Sequence, residues 1–115
     1  NENEINDPNR VKIIWNKNNE VIYISREAIP SKKKANKLVE YYKMVCVYTM
    51  KYDSLIIYDS LKESMLEKIE SIDMLRIIEN NKKLGIDIID GTVENIDVPE
   101  DVSKVTKLLK EKNNI

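Results

Sequence analysis

Two short runs of mainly β-branched residues, at positions 11–15 and 21–24, lie on either side of an asparagine-rich segment at 16–19. β-Branched residues favour strands and asparagine favours turns, so the pattern predicts a β-hairpin. Val11, Ile13 and Trp15 would share one face, because side chains alternate along a strand. A hairpin makes part of any larger sheet antiparallel, and the chain is therefore expected to form a mixed sheet rather than a fully parallel one.

Helical and strand-like patterns alternate after the hairpin. The predicted elements are a helix over 31–43, strands over 45–50 and 55–58, a long helix over 60–84, a strand over 86–89 and a final helix that begins at Pro99. Ser60 and Glu63 have the spacing of a capping box. The apolar stripe restarts after 72–73, which indicates a joint, and Gly85 is placed to end the long helix.

These elements predict an α+β or mixed α/β fold in the order ββ-α-ββ-α-β-α, with helices packed on one mixed sheet in two or three layers. The sheet would have about five strands and the chain about three helices. We expect one domain over 10–112, a flexible N-terminal arm over 1–9 and a frayed C-terminus over 113–115.

The composition of the chain indicates which partners and which cellular compartment to expect. With 19 basic and 20 acidic residues the net charge is −1, which argues against a generic nucleic-acid coat. A single cysteine, Cys46, excludes an intramolecular disulfide and fits a reducing compartment, so a cytoplasmic location is predicted. Cys46 is expected to be buried in its strand. No apolar run approaches the roughly 20 residues of a membrane helix, and no membrane partner is expected.

The chain contains no histidine and only two glycines. It therefore has no Ser-His or Cys-His pair to activate a nucleophile, no Cys/His zinc site and no glycine-rich phosphate loop. From these absences the sequence predicts a protein that is not an enzyme and that carries no cofactor.

A cluster of lysines marks the first candidate site. Lys32, Lys33, Lys34 and Lys37 lie in the first turns of the predicted 31–43 helix. Cations there oppose the helix dipole, and an arrangement that works against helix stability can mark an anion or nucleic-acid site. The alternative is a solvated, frayed turn after Pro30.

Acidic residues form the second candidate site. Asp59, Asp87 and Asp90 would lie near strand ends, within or before an acidic stretch that also includes Asp97. Carboxylates that converge from different elements can hold Mg²⁺. The alternative is that these acids solvate a loop and cap the last helix.

Aromatic residues form the third candidate site. Trp15, Tyr41 and Tyr52 are predicted anchors of a protein interface. Tyr41 and Tyr42 are adjacent on the predicted helix, so only one can face the core; we expect Tyr42 to be buried and Tyr41 exposed.

Residues 53–98 resemble part of the second half of a serine-recombinase catalytic domain. That family carries an Asp-Arg-Leu-x-Arg-Ser motif, which here reads Asp59-Ser60-Leu61-Lys62-Glu63-Ser64, without either arginine. At most, the resemblance implies a catalytically inactive relative.

The function predicted from these features is a small non-enzymatic interaction or regulatory domain that binds a protein partner. Charge complementarity between basic 32–51 and acidic 85–101 makes a homodimer one form of that interaction. The alternatives are a nucleic-acid-binding accessory protein that uses the lysines at 32–37, and a Mg²⁺-dependent hydrolase or inactive relative of a nucleic-acid enzyme.

Overall fold

A computed structural model of the chain describes residues 2–91, 94–96 and 98–113, whose helices and strands define a mixed α/β fold. The elements are α1 (Glu2–Asn6), β1 (Lys12–Trp15), β2 (Val21–Ser25), α2 (Tyr52–Ser60), α3 (Met65–Glu70), α4 (Leu75–Glu79) and α5 (Asp101–Asn113). The coarse fold class predicted from the sequence is confirmed.

The predicted hairpin is present. Strands β1 and β2 pair in antiparallel fashion, with Ile13 opposite Ile24 and a bulge between Ile14 and Trp15. The asparagines build the turn, as expected from their propensity. The side-chain oxygen of Asn16 accepts hydrogen bonds from the backbone N–H groups of residues 18 and 20, and residue 19 adopts a positive φ of 58°.

Both outer edges of the hairpin are joined by short extended segments. Lys43 forms an antiparallel bridge with Lys12, and the Met44 amide donates a 2.8 Å hydrogen bond to the carbonyl of Val11. On the other edge, Gly85 bridges Glu20. The hairpin therefore lies between two segments that extend its antiparallel pattern by one bridge each.

The core lies where α3, α4 and the joint between them pack on the hairpin. Ile24 of β2 and Leu75 of α4 are fully buried at its centre. The buried apolar side chains are those of Val21, Ile24, Met44, Ile72, Met74, Leu75 and Ile77. Because β2 and α4 supply several of them, burial of these side chains is the main force that holds the helices against the hairpin.

An ion pair links the three middle helices. The Nε of Arg76 donates a 2.9 Å hydrogen bond to the carboxylate of Glu67, and its guanidinium carbon lies 5.1 Å from the centre of the Tyr58 ring. The carboxylate of Glu79 accepts from the backbone N–H groups of Leu66 and Glu67. Helices α2, α3 and α4 are thereby held together by charge-assisted contacts around Arg76.

Several predicted elements are wrong. The described backbone over 31–43 forms turns and bends instead of a helix. Leu38 of the predicted apolar stripe is exposed, so its side chain adds no packing that would stabilise a helix there. Residues 55–58 lie inside helix α2. The segments 45–50 and 86–89 form no strand, because neither has a neighbouring strand along its length in the described part of the chain. The predicted five-strand order is therefore not the one observed.

The predicted long helix is broken into α3 and α4, and the predicted joint between them is confirmed. Ser71 ends α3 in the left-handed conformation with a φ of 55°. The residue of positive φ that follows α4 is Asn81, at 54°, rather than Gly85. The capping box lies at Ser64 and Glu67 and not at the predicted Ser60 and Glu63. The Glu67 carboxylate accepts a hydrogen bond from the Ser64 backbone N–H.

The ends of the chain also differ from expectation. Residues 2–6 form helix α1 within the segment predicted as an arm, whose flexibility stays a prediction. The last helix begins at Asp101, two residues after the predicted start at Pro99. The predicted fraying over 113–115 lies largely outside the described residues, and the domain limits of 10–112 stay a prediction.

Across the residues that the structure describes, no helix combines the length and the apolarity needed to cross a membrane.

Truncation of the central core residue tests this packing. Leu75 is 0% exposed, and Leu75→Ala should lower the free energy of unfolding by about 2–5 kcal/mol because it leaves a cavity. Urea denaturation followed by circular dichroism measures the change. Ile69→Ala is the matched control, because Ile69 is 71% exposed on α3 and its truncation should cost less than about 0.5 kcal/mol. Equal losses in the two variants would contradict this account of the core.

Candidate functional site

One face of the hairpin carries polar and charged side chains. Lys12 pairs with Ser25 of β2 and with Lys43 of the neighbouring segment, and paired residues of antiparallel strands present their side chains on the same face. Arg10 and Tyr41 lie two positions before Lys12 and Lys43 in the chain, and all four side chains line the same cavity.

Lys12 is buried at the centre of this face, with only 2% of its surface exposed. Its Nζ donates a 2.9 Å hydrogen bond to the carbonyl of Asp7 and a second hydrogen bond to the carbonyl of Arg26. Burial lowers the pKa of Lys12, and the nearby carboxylate of Asp7 opposes that effect. Lys12 is therefore a positioned cation that ties β1 to the segment before it and to the end of β2.

Arg10 and Tyr41 present groups with unused hydrogen-bonding capacity. The Nη2 of Arg10 donates a 2.9 Å hydrogen bond to the carboxylate of Glu94. Within the described structure, the Nη1 of Arg10 and the hydroxyl of Tyr41 are buried without a hydrogen-bond partner. Buried polar groups are nearly always partnered, so these two atoms mark a place where a ligand would gain hydrogen bonds.

A cavity of about 1230 Å³ adjoins this face. Its polar end is formed by Glu4, Arg10, Lys12, Tyr41, Lys43 and Glu94. Its lining also includes five exposed side chains that are largely apolar, called the apolar rim here: Val47, Tyr48, Ile57, Ile88 and Ile89. The polar end combines three cations with two carboxylates and a phenol, a set that can bind an anionic, hydroxyl-rich molecule.

A carboxylate holds the polar face in position. Glu70, at the end of α3, accepts hydrogen bonds from the Ser25 hydroxyl at 2.7 Å, the Arg26 backbone N–H at 2.9 Å and the Tyr23 hydroxyl at 3.2 Å. Burial raises the pKa of Glu70, but these hydrogen bonds together outweigh that effect and hold the pKa below its usual value. The ionised carboxylate therefore fixes the end of β2 against α3.

The predicted lysine site does not have the geometry expected of it. Lys32, Lys33, Lys34 and Lys37 are exposed, on a segment that is not helical, so no helix N-terminus lies beneath them. Lys32 forms an ion pair of 2.7 Å with Glu2 of α1. None of the four lines the cavity.

The predicted acidic site is also not assembled. Asp59 lies in the last turn of helix α2 and not at the end of a strand, and Asp87 and Asp90 are exposed. Among the described residues, no group of three acidic, cysteine or histidine side chains is placed to hold a metal ion. Asp97 of the acidic stretch lies outside the described residues.

The aromatic residues divide between two environments. Trp15 lines the cavity and packs edge-on against Tyr42, with ring centres 4.7 Å apart. The predicted assignment of the adjacent tyrosines is wrong, since Tyr42 is the exposed one and the Tyr41 hydroxyl is buried. Tyr52 is exposed on α2, as an interface residue would be, and its role stays a prediction. Cys46 is exposed, not buried, because its segment forms no strand.

Sequence reasoning missed Arg10, Lys12 and Glu94 as a group. Lys12 occupies the polar position between two apolar neighbours in β1, a pattern typical of a solvent-facing residue. Its burial depends on the carbonyls of Asp7 and Arg26. Glu94 lies 84 positions from Arg10 in the chain, and no local pattern joins them.

Comparison with known proteins identifies the class. The sequence profile of the cytidylyltransferase family matches residues 1–84. That span is well over half of the chain, which therefore belongs to the cytidylyltransferase family.

The individual relatives share one activity in their names. A 3-deoxy-manno-octulosonate cytidylyltransferase of Fusobacterium nucleatum is 35% identical over 113 residues, covering 98% of this chain and 46% of the relative. A mitochondrial enzyme of the same name from Arabidopsis thaliana is 31% identical, covering 93% of this chain and 38% of the relative. A solved structure of CMP:2-keto-3-deoxy-manno-octonic acid synthetase complexed with CTP has a TM-score of 0.86 and 30% identity, covering 97% of this chain and 46% of that one. The chain thus spans about half the length of the relatives it matches.

Family membership corrects the predicted function. The prediction of a non-enzymatic regulatory or interaction domain is wrong, because the matched family and the similar proteins are enzymes. The alternatives of a nucleic-acid-binding accessory protein, a hydrolase and a recombinase-like relative are overturned by the same finding. The missing histidine excludes some enzyme chemistries, but it does not exclude nucleotidyl transfer.

Neutralisation of Glu70 tests the support of the polar face. Glu70→Gln should lower the free energy of unfolding at neutral pH by about 1–3 kcal/mol, since a neutral amide cannot accept all three hydrogen bonds equally well. A carboxylate whose pKa is lowered by folding stabilises the fold at pH values above the pKa that it has in the unfolded chain, and this contribution is lost as the pH falls. The difference in free energy of unfolding between the wild type and Glu70→Gln should therefore shrink below about pH 4.5.

Denaturant titrations at several pH values measure this effect. Glu63→Gln is the matched control, because Glu63 forms only an exposed ion pair with Lys68 at 3.4 Å, and such pairs contribute about 0–1 kcal/mol. A Glu70→Gln protein that is as stable as the wild type at neutral pH would contradict the role assigned to Glu70.

Proposed function

We propose that this chain forms part of an enzyme that transfers a cytidylyl group from CTP to a 3-deoxy-octulosonate sugar acid. The observation that carries the proposal is the match of nearly the whole chain to enzymes of that name, at 35% identity over 113 residues for the Fusobacterium relative. The fold of a CTP-bound synthetase, with a TM-score of 0.86, supports it.

The reaction defines what the site must do. A hydroxyl oxygen of the sugar acid attacks the α-phosphorus of CTP, the bond to the β-phosphate breaks, pyrophosphate leaves and the hydroxyl proton is released. Such a transfer depends mainly on positioning and on cations that stabilise the phosphate charge. Both substrates are anionic, so their binding sites require positive charge.

The polar end of the cavity has the chemistry to bind the sugar acid. Its cations can pair with a carboxylate, and the Nη1 of Arg10 is a guanidinium donor that has no hydrogen-bond partner among the described residues. The buried hydroxyl of Tyr41 and the carboxylates of Glu4 and Glu94 can bond to sugar hydroxyls. We assign the sugar acid to this end, with Arg10 and Tyr41 as its principal contacts.

Removal of one hydroxyl tests this assignment. Tyr41→Phe removes a group that has no hydrogen-bond partner among the described residues, so folding should not suffer. Binding of 3-deoxy-manno-octulosonate should weaken by about threefold to tenfold, the loss expected for one hydrogen bond. Isothermal titration calorimetry on the 115-residue chain measures the affinity.

The matched control is Tyr52→Phe, because the exposed Tyr52 does not line the cavity. Its affinity for the sugar acid should equal that of the wild type. A titration with CTP, and one with ATP as the competing nucleotide, tests the donor side. A chain that binds neither CTP nor the sugar acid would contradict the proposed function.

A further inference from the structure

The turn that leads into β1 is held together by hydrogen bonds to Asp7. The backbone N–H of Arg10 donates a 3.1 Å hydrogen bond to the carbonyl of Asp7, and the backbone N–H of Asn9 donates one of 2.8 Å to the Asp7 carboxylate. Such bonds from the backbone to an aspartate stabilise a tight turn. The Asp7 carboxylate also lies 3.9 Å from the Nε of Arg10. The turn at 7–10 therefore sets the backbone from which the Arg10 side chain projects.

Two cations fasten this turn to the end of β2. The Nζ of Lys12 donates to the same Asp7 carbonyl at 2.9 Å and also to the carbonyl of Arg26. The guanidinium of Arg26 donates a 2.9 Å hydrogen bond to the carbonyl of Pro8, the next residue of the turn. Hydrogen bonds from charged donors are stronger than those between neutral groups, so the turn is clamped firmly at two successive carbonyls.

The burial of Lys12 indicates what this side chain contributes. Only 2% of its surface is exposed, and removing a cation from water costs free energy. Among the described residues, both hydrogen-bond partners of its Nζ are backbone carbonyls. A buried apolar side chain would fill similar space without the desolvation cost, but it could not hold two carbonyls. The contribution of Lys12 is therefore the relative position of the turn and the end of β2.

We propose that Lys12 is a positioning residue for the sugar acid, because it holds the turn at 7–10 so that the Arg10 guanidinium lines the polar end of the cavity. Arg10 is buried, its Nη2 is bonded to Glu94 at 2.9 Å, and its Nη1 has no hydrogen-bond partner among the described residues. A small displacement of the Arg10 backbone would move this donor away from a bound ligand. The inference rests on the proposed function for the identity of the ligand, whereas the clamp can be tested without any ligand.

Amide hydrogen exchange, measured by NMR on the 115-residue chain, tests the clamp itself. Lys12→Met keeps a side chain of similar length and removes its donors, so the Arg10 amide should lose protection by about tenfold or more as the turn opens. The internal reference is the Val21 amide, which donates a 2.8 Å hydrogen bond to the carbonyl of Leu84 at the other end of the hairpin. Equal losses at Arg10 and Val21 would show a general destabilisation and would overturn the proposal.

Two substitutions of Asp7 test the same turn without altering the buried lysine, so they decide the question even where Lys12→Met does not fold. The Asp7 side chain is 36% exposed. Asp7→Ala removes the acceptor of the Asn9 amide, and the Arg10 amide should again lose protection. Asp7→Asn is the matched control, because its amide oxygen accepts the same hydrogen bond and the protection should be kept. An Arg10 amide that stays protected in Asp7→Ala would contradict the role of the turn.

A double-mutant cycle measured by calorimetry shows whether Lys12 acts through Arg10. Lys12→Met and Arg10→Met should each weaken the binding of 3-deoxy-manno-octulosonate by about tenfold or more. The double variant should bind within about twofold of Arg10→Met, because it has no guanidinium left to position. Losses that multiply in the double variant would mean that Lys12 acts by its own charge, and the proposal would be wrong. Lys68→Met is the control with unchanged affinity, since Lys68 is exposed and does not line the cavity.

The inference and the proposed function fail in different ways. Loss of Arg10 protection in Lys12→Met and Asp7→Ala, together with the non-additive cycle, supports the inference. A wild-type chain that binds the sugar acid, but whose Arg10 amide does not respond to Lys12→Met, overturns the inference alone. A wild-type chain that binds neither substrate overturns the proposed function, and the amide measurements then still decide whether Lys12 sets the turn.

Discussion

The carboxylate of Glu70 is the contact that connects most parts of this fold. It receives hydrogen bonds from Tyr23, Ser25 and the Arg26 backbone. The guanidinium of Arg26 in turn donates to the carbonyls of Pro8, Glu70 and Ser71. Three chain segments thus meet at these hydrogen bonds, and without them the end of β2 would lose its attachment to α3. The polar face keeps its geometry because this contact is satisfied on all sides.

The hairpin shows what local sequence can determine. Asn16–Asn19 set the turn and the β-branched runs set the strands, and both signals act within a few residues, so the prediction was confirmed. The segments 45–50 and 86–89 carry an equally strong strand composition and were predicted wrongly. Strand propensity needs a partner, and a sequence does not state whether one is present.

The candidate site escaped prediction for a different reason. The most prominent charges in the sequence, the lysines at 32–37, remain solvated, whereas the site is built from Arg10, Lys12 and Glu94. Burial of a charge depends on partners that are distant in the chain, such as Glu94 for Arg10. A run of like charges is conspicuous in a sequence, but it usually stays exposed to water because burying several like charges is costly. Only Lys12 of the site's charges stands between two apolar residues, so no local pattern marks the group.

The function was predicted wrongly because the absence of histidine was given too much weight. Histidine is needed where a proton must move near neutral pH, but transfer of a nucleotidyl group depends chiefly on aligning two anions and neutralising their charge. Arginine and lysine do this work, and this chain buries Arg10 and Lys12 beside a cavity. A chain that spans about half the length of its relatives also need not supply every group of a shared site. The residue types that a polypeptide lacks therefore limit only the chemistry that this polypeptide itself can perform. They exclude an activity only when the polypeptide forms the whole active site.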